Sequence, residues 1–464
     1  MTLGARLAAT PRGLAILVLI ASAACQPAAP QSKTTPSAAP SPRPTIVRIT
    51  SALTPVSKQA LKGVTIQVWH PWFAVEASLF DSQVAEFNKT NEWGITVRAT
   101  SQNNYTELYN NVTAALPGDE GPDAAVALPE YAVDWDAGGA VVDLTDYVND
   151  GAYGLTAAEV EDFSTVFWEQ DAVGGKRLGV PAERGATFLA YDSSWAKNLG
   201  YAAAPQTSSE FRRQACGAHH AAGSDADKTN DAQGGWLINT DAATFLSWMM
   251  AFGGGVLEGD GYHFLTPKNL AGLTFVKQVY DDGCAWSLTP PGDAPATFAG
   301  RQAVFATVNL EQLPEYARAM AAANNGDSWT VLRFPGPDHA GLVTYGSSYV
   351  VLKSTAERQL ASWLFVRWML SVENQKKWVE ATGLFPLRAS MLSALGEYGK
   401  SHPQWSAAVD LIPAAGNEPQ LASWRQVRVM VGDGFDAMFR SNTPSGRVAE
   451  ILAIMERAAS DLSK

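Results

Sequence analysis

Strand-like and helix-like patterns alternate between residues 64 and 128, and this alternation limits the possible folds more than any other feature. Residues 64–69 alternate β-favouring side chains. The next segment repeats apolar residues at three- and four-residue steps, at Leu79, Phe80, Val84 and Phe87. Residues 95–99 predict a second strand, 105–116 a second helix and 124–128 a third strand. This β-α-β-α-β series predicts an α/β fold with a largely parallel sheet, and such sheets bind ligands at the carboxyl ends of their strands.

The chain is large enough for more than one core. It has 464 residues, of which 46% are hydrophobic and 17% charged, and about 400 residues follow position 62. A single core stops growing at roughly 250–300 residues, so two lobes are expected. Sequence signals for caps mark later helices: Thr207 with Glu210, Thr266 before Pro267, and Ser354 with Glu357.

The N-terminus has the pattern of an export signal. Arg6 and Arg12 precede an apolar run at residues 14–20, which is too short for a stable membrane helix. The segment Ser22-Ala23-Ala24-Cys25 resembles the lipobox of bacterial lipoproteins, although that pattern has leucine where Ser22 stands. We predict a lipoprotein signal peptide at residues 1–24 and lipidation of Cys25, with ordinary signal cleavage as the alternative.

A tether and an acidic body follow this signal. Residues 25–62 are rich in Pro, Ser, Thr and Ala, which predicts a disordered tether. Residues 1–62 contain seven Lys or Arg and no Asp or Glu, so the rest of the chain carries −19 of charge against −12 for the whole. An acidic body argues against nucleic-acid binding and suits a soluble body that is held off an anionic membrane. The predicted location is the extracytoplasmic face of the cell membrane, held by the lipid.

Two further cysteines are candidates for a disulfide. Cys216 and Cys284 would meet an oxidising compartment in an exported protein; the alternative is a pair of unpaired buried thiols. His219 and His220 lack a second spaced cluster, so they indicate a polar helix face rather than a metal site. We predict no metal and no cofactor.

Several loose signatures follow one another along the chain. They are Val68-Trp69-His70-Pro71-Trp72, Gly121-Pro122-Asp123-Ala124-Ala125, Val142-Asp143-Leu144-Thr145-Asp146-Tyr147, Gly179-Val180-Pro181 with Tyr191-Asp192, Pro205-Gln206-Thr207 with Glu210-Phe211, Phe252-Gly253-Gly254, and Gly383-Leu384-Phe385-Pro386-Leu387-Arg388. In order and spacing they resemble the bacterial extracellular solute-binding proteins of ABC importers, in particular the carbohydrate-binding family that includes maltose-binding protein. This chain has Asp192 where members of that family usually have Asn. The difference concerns the sub-family to which the chain is assigned and leaves the expected fold unchanged.

The resemblance implies a two-lobe periplasmic-binding-protein fold, type II-like, with three hinge crossings near residues 181–188, 334–337 and 385–388. Lobe 1 would comprise residues 63–181 plus 338–384, and lobe 2 residues 189–333 plus 389–464. It also implies a monomer that captures a sugar or oligosaccharide between the lobes and delivers it to separate permease subunits, without catalysis.

A sugar site needs aromatic platforms and planar hydrogen-bonding side chains. Trp69, His70 and Trp72 follow the first strand, with core packing as the alternative for Trp69. The other first-lobe candidates, after later strands and in the first crossing, are Asn104, Tyr105, Glu130, Tyr131 and Arg184. The alternatives are a helix N-cap for Asn104, solvated loop positions for Glu130 and Tyr131, and a hinge salt bridge between Glu183 and Arg184.

Candidates in the second half lie beside glycines or at strand ends. They are Trp236, Gly253, Gly254, Asn309, Tyr345, Ser347 and Arg388. Gly253, Gly254 and Asn309 are taken from the resemblance alone, and a structural ion pair is the alternative for Arg388.

Two other functions compete with sugar capture. One is binding of glycerol phosphate or a polyamine, and the other is hydrolysis by a secreted glycosidase, which needs two carboxylates. The sequence has no Gly-x-Ser-x-Gly elbow, no His-Glu-x-x-His and no phosphate-binding Gly-x-x-x-x-Gly-Lys. We therefore expect a binding protein rather than an enzyme.

Overall fold

The computed structural model describes residues 53, 56–118, 121–259, 261–288, 292–440 and 442–463. The predicted signal peptide, Cys25 and most of the predicted tether lie outside the described residues. At its C-terminal end the tether prediction is wrong, because Lys58–Leu61 forms a helical turn capped by Ser57. Leu61 is fully buried in the apolar core, and Val56 is buried beside it, so ordered structure starts before residue 62.

The strands are numbered along the described chain. They are β1 (Thr65–His70), β2 (Thr96–Ser101), β3 (Ala124–Ala127), β4 (Ala172–Val173), β5 (Lys176–Arg177), β6 (Val180–Pro181), β7 (Gly185–Asp192), β8 (Gly234–Leu237), β9 (Leu257–Glu258), β10 (Gly261–Tyr262), β11 (Ala285–Trp286), β12 (Ala303–Asn309), β13 (Trp329–Leu332), β14 (Phe334–Pro335), β15 (Ala340–Gly341), β16 (Val343–Tyr345), β17 (Ser348–Val351) and β18 (Gly416–Asn417).

The helices are numbered in the same way. They are α1 (Lys58–Leu61), α2 (Ala74–Thr90), α3 (Tyr105–Ala115), α4 (Pro129–Ala137), α5 (Thr145–Val148), α6 (Ala157–Glu161), α7 (Thr165–Glu169), α8 (Ser193–Asn198), α9 (Ser208–Ser224), α10 (Ala242–Ala251), α11 (Pro267–Asp281), α12 (Ala294–Ala299), α13 (Leu313–Ala322), α14 (Ala356–Met369), α15 (Val372–Thr382), α16 (Met391–Ala394), α17 (Gly396–Ser401), α18 (Pro403–Val409), α19 (Trp424–Met438) and α20 (Val448–Leu462). None of the described helices is both long enough and apolar enough to cross a membrane.

The first sheet has the strand order β2-β1-β3-β17-β6. Its first three strands are parallel, with α2 and α3 as the crossovers between them, so the predicted β-α-β-α-β series is confirmed. β17 pairs antiparallel with β3, and β6 pairs antiparallel with β17. Both strands come from later parts of the chain.

The second sheet has the order β11-β8-β12-β7-β16-β18, and β13 also pairs with β7. All eight residues of β7 are buried, which places this strand in the middle of the second half. Helices α9 and α10 pack on this sheet, and α19 and α20 pack beyond α10. The predicted capping box of Thr207 and Glu210 at α9 is confirmed. At α14 the cap is Thr355 rather than the predicted Ser354.

Three passages connect the two sheets. The first lies between β6 and β7, within the predicted range, at residues 182–184. The second lies at Gly346 and Ser347, not at residues 334–337 as expected, because Val343–Tyr345 still pairs with the second sheet. The third leads from α15, which packs on α2, to α18, which packs on β13.

The passages are packed rather than loose. One apolar cluster continues from the first sheet to the near face of the second. At the junction the ring of Phe385 lies 5.7 Å from that of Phe167 and 6.2 Å from that of Phe188. A second cluster fills the far side of the second lobe. There, a disulfide joins Cys216 in α9 to Cys284 before β11, as predicted.

Candidate functional site

A cavity of about 250 Å³ lies between the two sheets, next to the first two passages. Its wall combines the starts of α2, α3 and α4 with the ends of β12 and β16, so both halves of the molecule contribute. The lining residues are Glu76, Tyr105, Leu128, Pro129, Glu130, Gln170, Glu183, Gly185, Glu311, Tyr345, Gly346, Thr382, Leu384, Glu418 and Arg428. Five of these side chains are glutamates, and Arg428 is the single cationic one among these lining residues.

Glu183 is the best-anchored carboxylate of the cavity. It lies in the first passage, is 8% exposed, and accepts hydrogen bonds from Tyr105 Oη at 2.7 Å and Ser347 Oγ at 3.0 Å. Trp72 Nε1 also donates to it, at 3.2 Å. These three donors are neutral, so they orient the carboxylate without cancelling its charge.

Glu76 and Glu311 face Glu183 from opposite halves. Glu76 is in the first turn of α2, and Glu311 follows β12 and accepts a 2.7 Å hydrogen bond from Tyr345 Oη. Desolvation in the cleft raises the pKa of Glu76 and of Glu311, and the charge of Glu183 raises both further. Burial also raises the pKa of Tyr105 and of Tyr345 well above 10, so both phenols remain protonated donors.

The other end of the cavity holds Glu130, Glu418 and Arg428. Arg428 Nε donates to Glu418 at 3.0 Å, and Trp424 Nε1 donates to the same carboxylate at 3.1 Å. Glu130, at the second position of α4 after Pro129, is 4% exposed. Burial raises the pKa of Glu130 to about 7, with a further contribution from the charge of Glu418.

Comparison with known sequences identifies the family. A sequence profile described as bacterial extracellular solute-binding protein matches residues 82–413, which is well over half of the chain. The chain belongs to this family. No curated protein sequence matches this solute-binding protein significantly.

Solved structures show the same fold. The sugar-binding protein MalE from Xanthomonas citri is 18% identical with a TM-score of 0.74, covering 86% of this chain and 97% of that one. The cyclic alpha-maltosyl-1,6-maltose binding protein from Arthrobacter globiformis is 18% identical with a TM-score of 0.71, covering 86% and 99%. UgpB from Mycobacterium tuberculosis, in complex with glycerophosphocholine, is 16% identical with a TM-score of 0.67, covering 86% and 98%. These likenesses support the two-lobe fold.

Three of the predicted ligand-binding residues line the cavity of this solute-binding protein: Tyr105, Glu130 and Tyr345. Each lies where a strand ends or the following helix begins. Their contact with a ligand stays a prediction, but the structure brings them together.

The tryptophans expected as aromatic platforms do not line the cavity. Trp72 is 5% exposed, and its ring packs on Trp378, with centroids 4.4 Å apart, and on Phe80. His70 is buried beside the same rings, and this burial lowers its pKa to about 4. Trp69 packs partly buried against a third apolar cluster, which is the alternative we gave for it.

Two further first-lobe candidates also have structural contacts. The side chain of Asn104 caps α3 by accepting from Glu107 N at 2.8 Å, which is the alternative we gave for it. Tyr131 is 4% exposed and packs on Tyr109, with ring centroids 4.9 Å apart. Neither residue is part of the cavity wall.

Arg184 points into the core instead of the cavity. It is 1% exposed, pairs with Asp171 at 2.9 Å and donates to the carbonyl of Ser347. The salt bridge to Glu183 that we considered is therefore replaced by one to Asp171. Ser347 is buried behind Glu183, and the guanidinium of Arg388 lies 4.4 Å over the ring of Phe163.

Apart from Tyr345, the second-lobe candidates are likewise outside the cavity wall. Trp236 is fully buried and donates to Thr307 Oγ1 at 3.0 Å. Asn309 accepts a 2.7 Å hydrogen bond from Thr187 Oγ1. Gly253 and Gly254 follow α10, away from the cavity.

Several lining residues were not among the predicted ones, above all Glu76, Glu311, Glu418 and Arg428. The rule that found Glu130, an acidic residue just after a predicted strand, would also have found Glu311. Glu418 and Arg428 carry no such signal, because the strand before Glu418 has two residues and is recognisable only from its pairing with β16.

Proposed function

We propose that this protein is the substrate-binding lipoprotein of an ABC importer and captures a sugar between its lobes for delivery to a separate permease. The single observation that carries the proposal is the cavity between the two sheets, into which both halves direct hydrogen-bonding side chains. The three passages between the sheets, two of them next to this cavity, provide the hinge that opening and closing requires. The solved sugar-binding neighbours support a carbohydrate as the ligand.

The pairing of the strands into two main sheets supports a division into two lobes. We propose residues 63–181 plus 348–384 for the first lobe and residues 185–345 plus 389–464 for the second, with the described passages between them. We also propose that the protein is a monomer anchored through acylated Cys25. Mass spectrometry of the mature N-terminal peptide tests the anchor: diacylglyceryl-modified Cys25 is expected, and an unmodified N-terminus elsewhere contradicts it.

Binding is tested by thermal shift and intrinsic fluorescence of the purified full-length protein against a panel of mono- and oligosaccharides. A ligand that binds the folded state alone raises Tm, by the equivalent of about 2.7 kcal/mol at a concentration of 100 Kd. A rise in Tm with one sugar or a narrow group supports the proposal. If only phosphate esters respond, the sugar assignment is overturned while transport of a solute stands.

We also propose that the protein binds its ligand without catalysing a reaction. The family consists of solute-binding proteins, and neighbouring side chains hold the carboxylates of Glu183, Glu311 and Glu418 by hydrogen bonds. Incubation with chromogenic glycosides should release no product above the rate in buffer. Steady release that disappears in a Glu183→Gln variant would instead make the protein a hydrolase.

A further inference from the structure

Hydrogen-bond acceptors outnumber donors in the cavity wall. The carboxylates of five glutamates are acceptors when ionised, and the phenols of Tyr105 and Tyr345 already donate to two of them. The guanidinium of Arg428 donates to Glu418. A ligand that satisfies this wall must therefore bring donors rather than acceptors.

One buried acceptor in the wall has no partner among the described residues. Gln170 is 6% exposed, and its Oε1 accepts no hydrogen bond, whereas its Nε2 donates to the carbonyl of Glu418 at 3.4 Å. Buried polar atoms are normally hydrogen-bonded, so this oxygen indicates a missing donor inside the cavity.

Glu76, Glu183 and Glu311 form what we call the carboxylate cluster. They come from the first lobe, the first passage and the second lobe, and each carries no ion pair with a cation of the described chain. The carboxylate of Glu76 also has no hydrogen bond to any other described residue. When the lobes close, three negative charges are brought together in a site that water leaves, which is costly unless a positive charge enters.

We propose that the ligand of this solute-binding protein carries a protonated amine and that the carboxylate cluster binds it. The inference rests on the proposed capture of a solute in this cavity. An ammonium group offers three donors and no acceptor, which matches the wall. A neutral sugar would leave the cluster uncompensated, and an anion would meet the carboxylate cluster and a guanidinium already paired with Glu418.

The position of the cluster also gives the amine a role in closure. Glu76 and Glu311 belong to opposite lobes, so a cation between them attracts both and draws the lobes together. The same amine chemistry occurs in amino sugars and in aliphatic polyamines, and the experiment separates these two sources.

Isothermal titration of the full-length protein at pH 7 and low salt tests the proposal with matched ligands. The probes are D-glucosamine and its β-1,4 oligomers, the corresponding glucose and N-acetylglucosamine sugars, and the polyamines putrescine and spermidine. We expect the amine-bearing sugars to bind at least tenfold more tightly than their neutral counterparts, because charge-assisted hydrogen bonds are about twice as strong as neutral ones. Added salt should weaken this binding.

Variants locate the effect. Glu76→Gln removes one charge of the cluster without breaking a contact, so affinity for the amine ligand should fall about tenfold or more while Tm of the free protein is kept. The matched control is Asp81→Asn, which removes an exposed carboxylate from the same helix and should leave affinity unchanged within twofold.

The outcomes separate this inference from the proposed function. Preferential binding of amino sugars supports both. Binding of polyamines alone supports the amine and overturns the sugar. Neutral sugars that bind as tightly as their amine counterparts overturn the inference and leave the proposed function standing. If no probe binds, or if Glu76→Gln leaves the amine affinity unchanged, the inference is overturned.

Discussion

The phenol of Tyr105 donates a 2.7 Å hydrogen bond to the carboxylate of Glu183. Tyr105 begins α3 beside the first sheet, whereas Glu183 lies in the passage to the second sheet. The bond thus ties one wall of the cavity to the hinge, and it fixes the carboxylate in the position from which it faces Glu76 and Glu311.

Replacing Tyr105 by Phe should lower the free energy of unfolding by about 1–3 kcal/mol. The change leaves a nearly buried carboxylate with one donor fewer, and the cost of an unsatisfied buried group exceeds the net value of the bond. Urea unfolding measures it. The control is Tyr201→Phe, whose hydroxyl donates to the carbonyl of Arg213 at the surface, and its effect should be smaller. Equal losses in the two variants would contradict the role given to Glu183.

Asp171→Asn should destabilise the protein by about 3–5 kcal/mol, because it leaves the guanidinium of Arg184 buried without its counter-ion. The two side chains are 2% and 1% exposed, and the pair lies next to the passages. The control Glu450→Gln breaks the exposed pair with Arg447 and should leave the midpoint of urea unfolding unchanged. A loss below about 1 kcal/mol for Asp171→Asn would show that other acceptors replace the carboxylate.

Glu130 should make stability depend on pH. Its pKa rises from 4.5 to about 7 on folding, so the folded protein favours the protonated carboxyl. The stabilisation is fully present below about pH 4.5 and is lost as pH rises through 7, by about 3 kcal/mol in all. Melting curves between pH 4 and 8 test this: Glu130→Gln should flatten the loss, whereas Asp81→Asn should retain it. If Glu130→Gln follows the unmodified protein at every pH, the carboxyl is ionised throughout.

Gly346→Ala should disturb the second passage. Gly346 has φ of +143°, and a Cβ there would lie 2.2 Å from the carbonyl oxygen of Glu183, a backbone atom of the first passage. We expect a loss of more than about 1 kcal/mol in unfolding free energy together with weaker ligand binding. Gly326→Ala, in an open loop with no neighbour within 4 Å, is the control and should be neutral. Neutrality at Gly346 would mean that the passages separate easily.

The first sheet follows directly from the sequence because its strands and crossovers are local. The spacing of Leu79, Phe80, Val84 and Phe87 predicted α2, and the helix runs from Ala74 to Thr90. The second sheet was harder, since β11 and β18 have two residues each and exist through pairing with distant strands. The position of the second passage depends on that pairing, which is why it was expected about ten residues too early.

The sequence predicted only part of the cavity wall. Position after a strand identified Tyr105 and Glu130, because strand ends meet at one edge of a sheet whatever the details of packing. Tyr345 was identified by the adjacent glycine and small hydroxyls, which let a ligand approach the backbone. The tryptophans of the sequence did not identify the cavity wall, because the rotation of a single side chain decides whether an indole faces the cavity or the core. Trp72 turns to Phe80 and Trp378, and only its ring nitrogen reaches the site, through Glu183.

The three passages are linked side by side through their backbones. Ala182 N donates to Ser347 O at 2.9 Å, and Phe385 N donates to Arg184 O at 2.9 Å, so each passage is held to a neighbour. Three passages joined in this way resist sliding past each other and twisting, because either motion would break these hydrogen bonds. Bending of one lobe towards the other preserves the bonds. We therefore expect the lobes to rotate about a single hinge axis. This rotation would bring the glutamates of opposite lobes towards each other along one defined path.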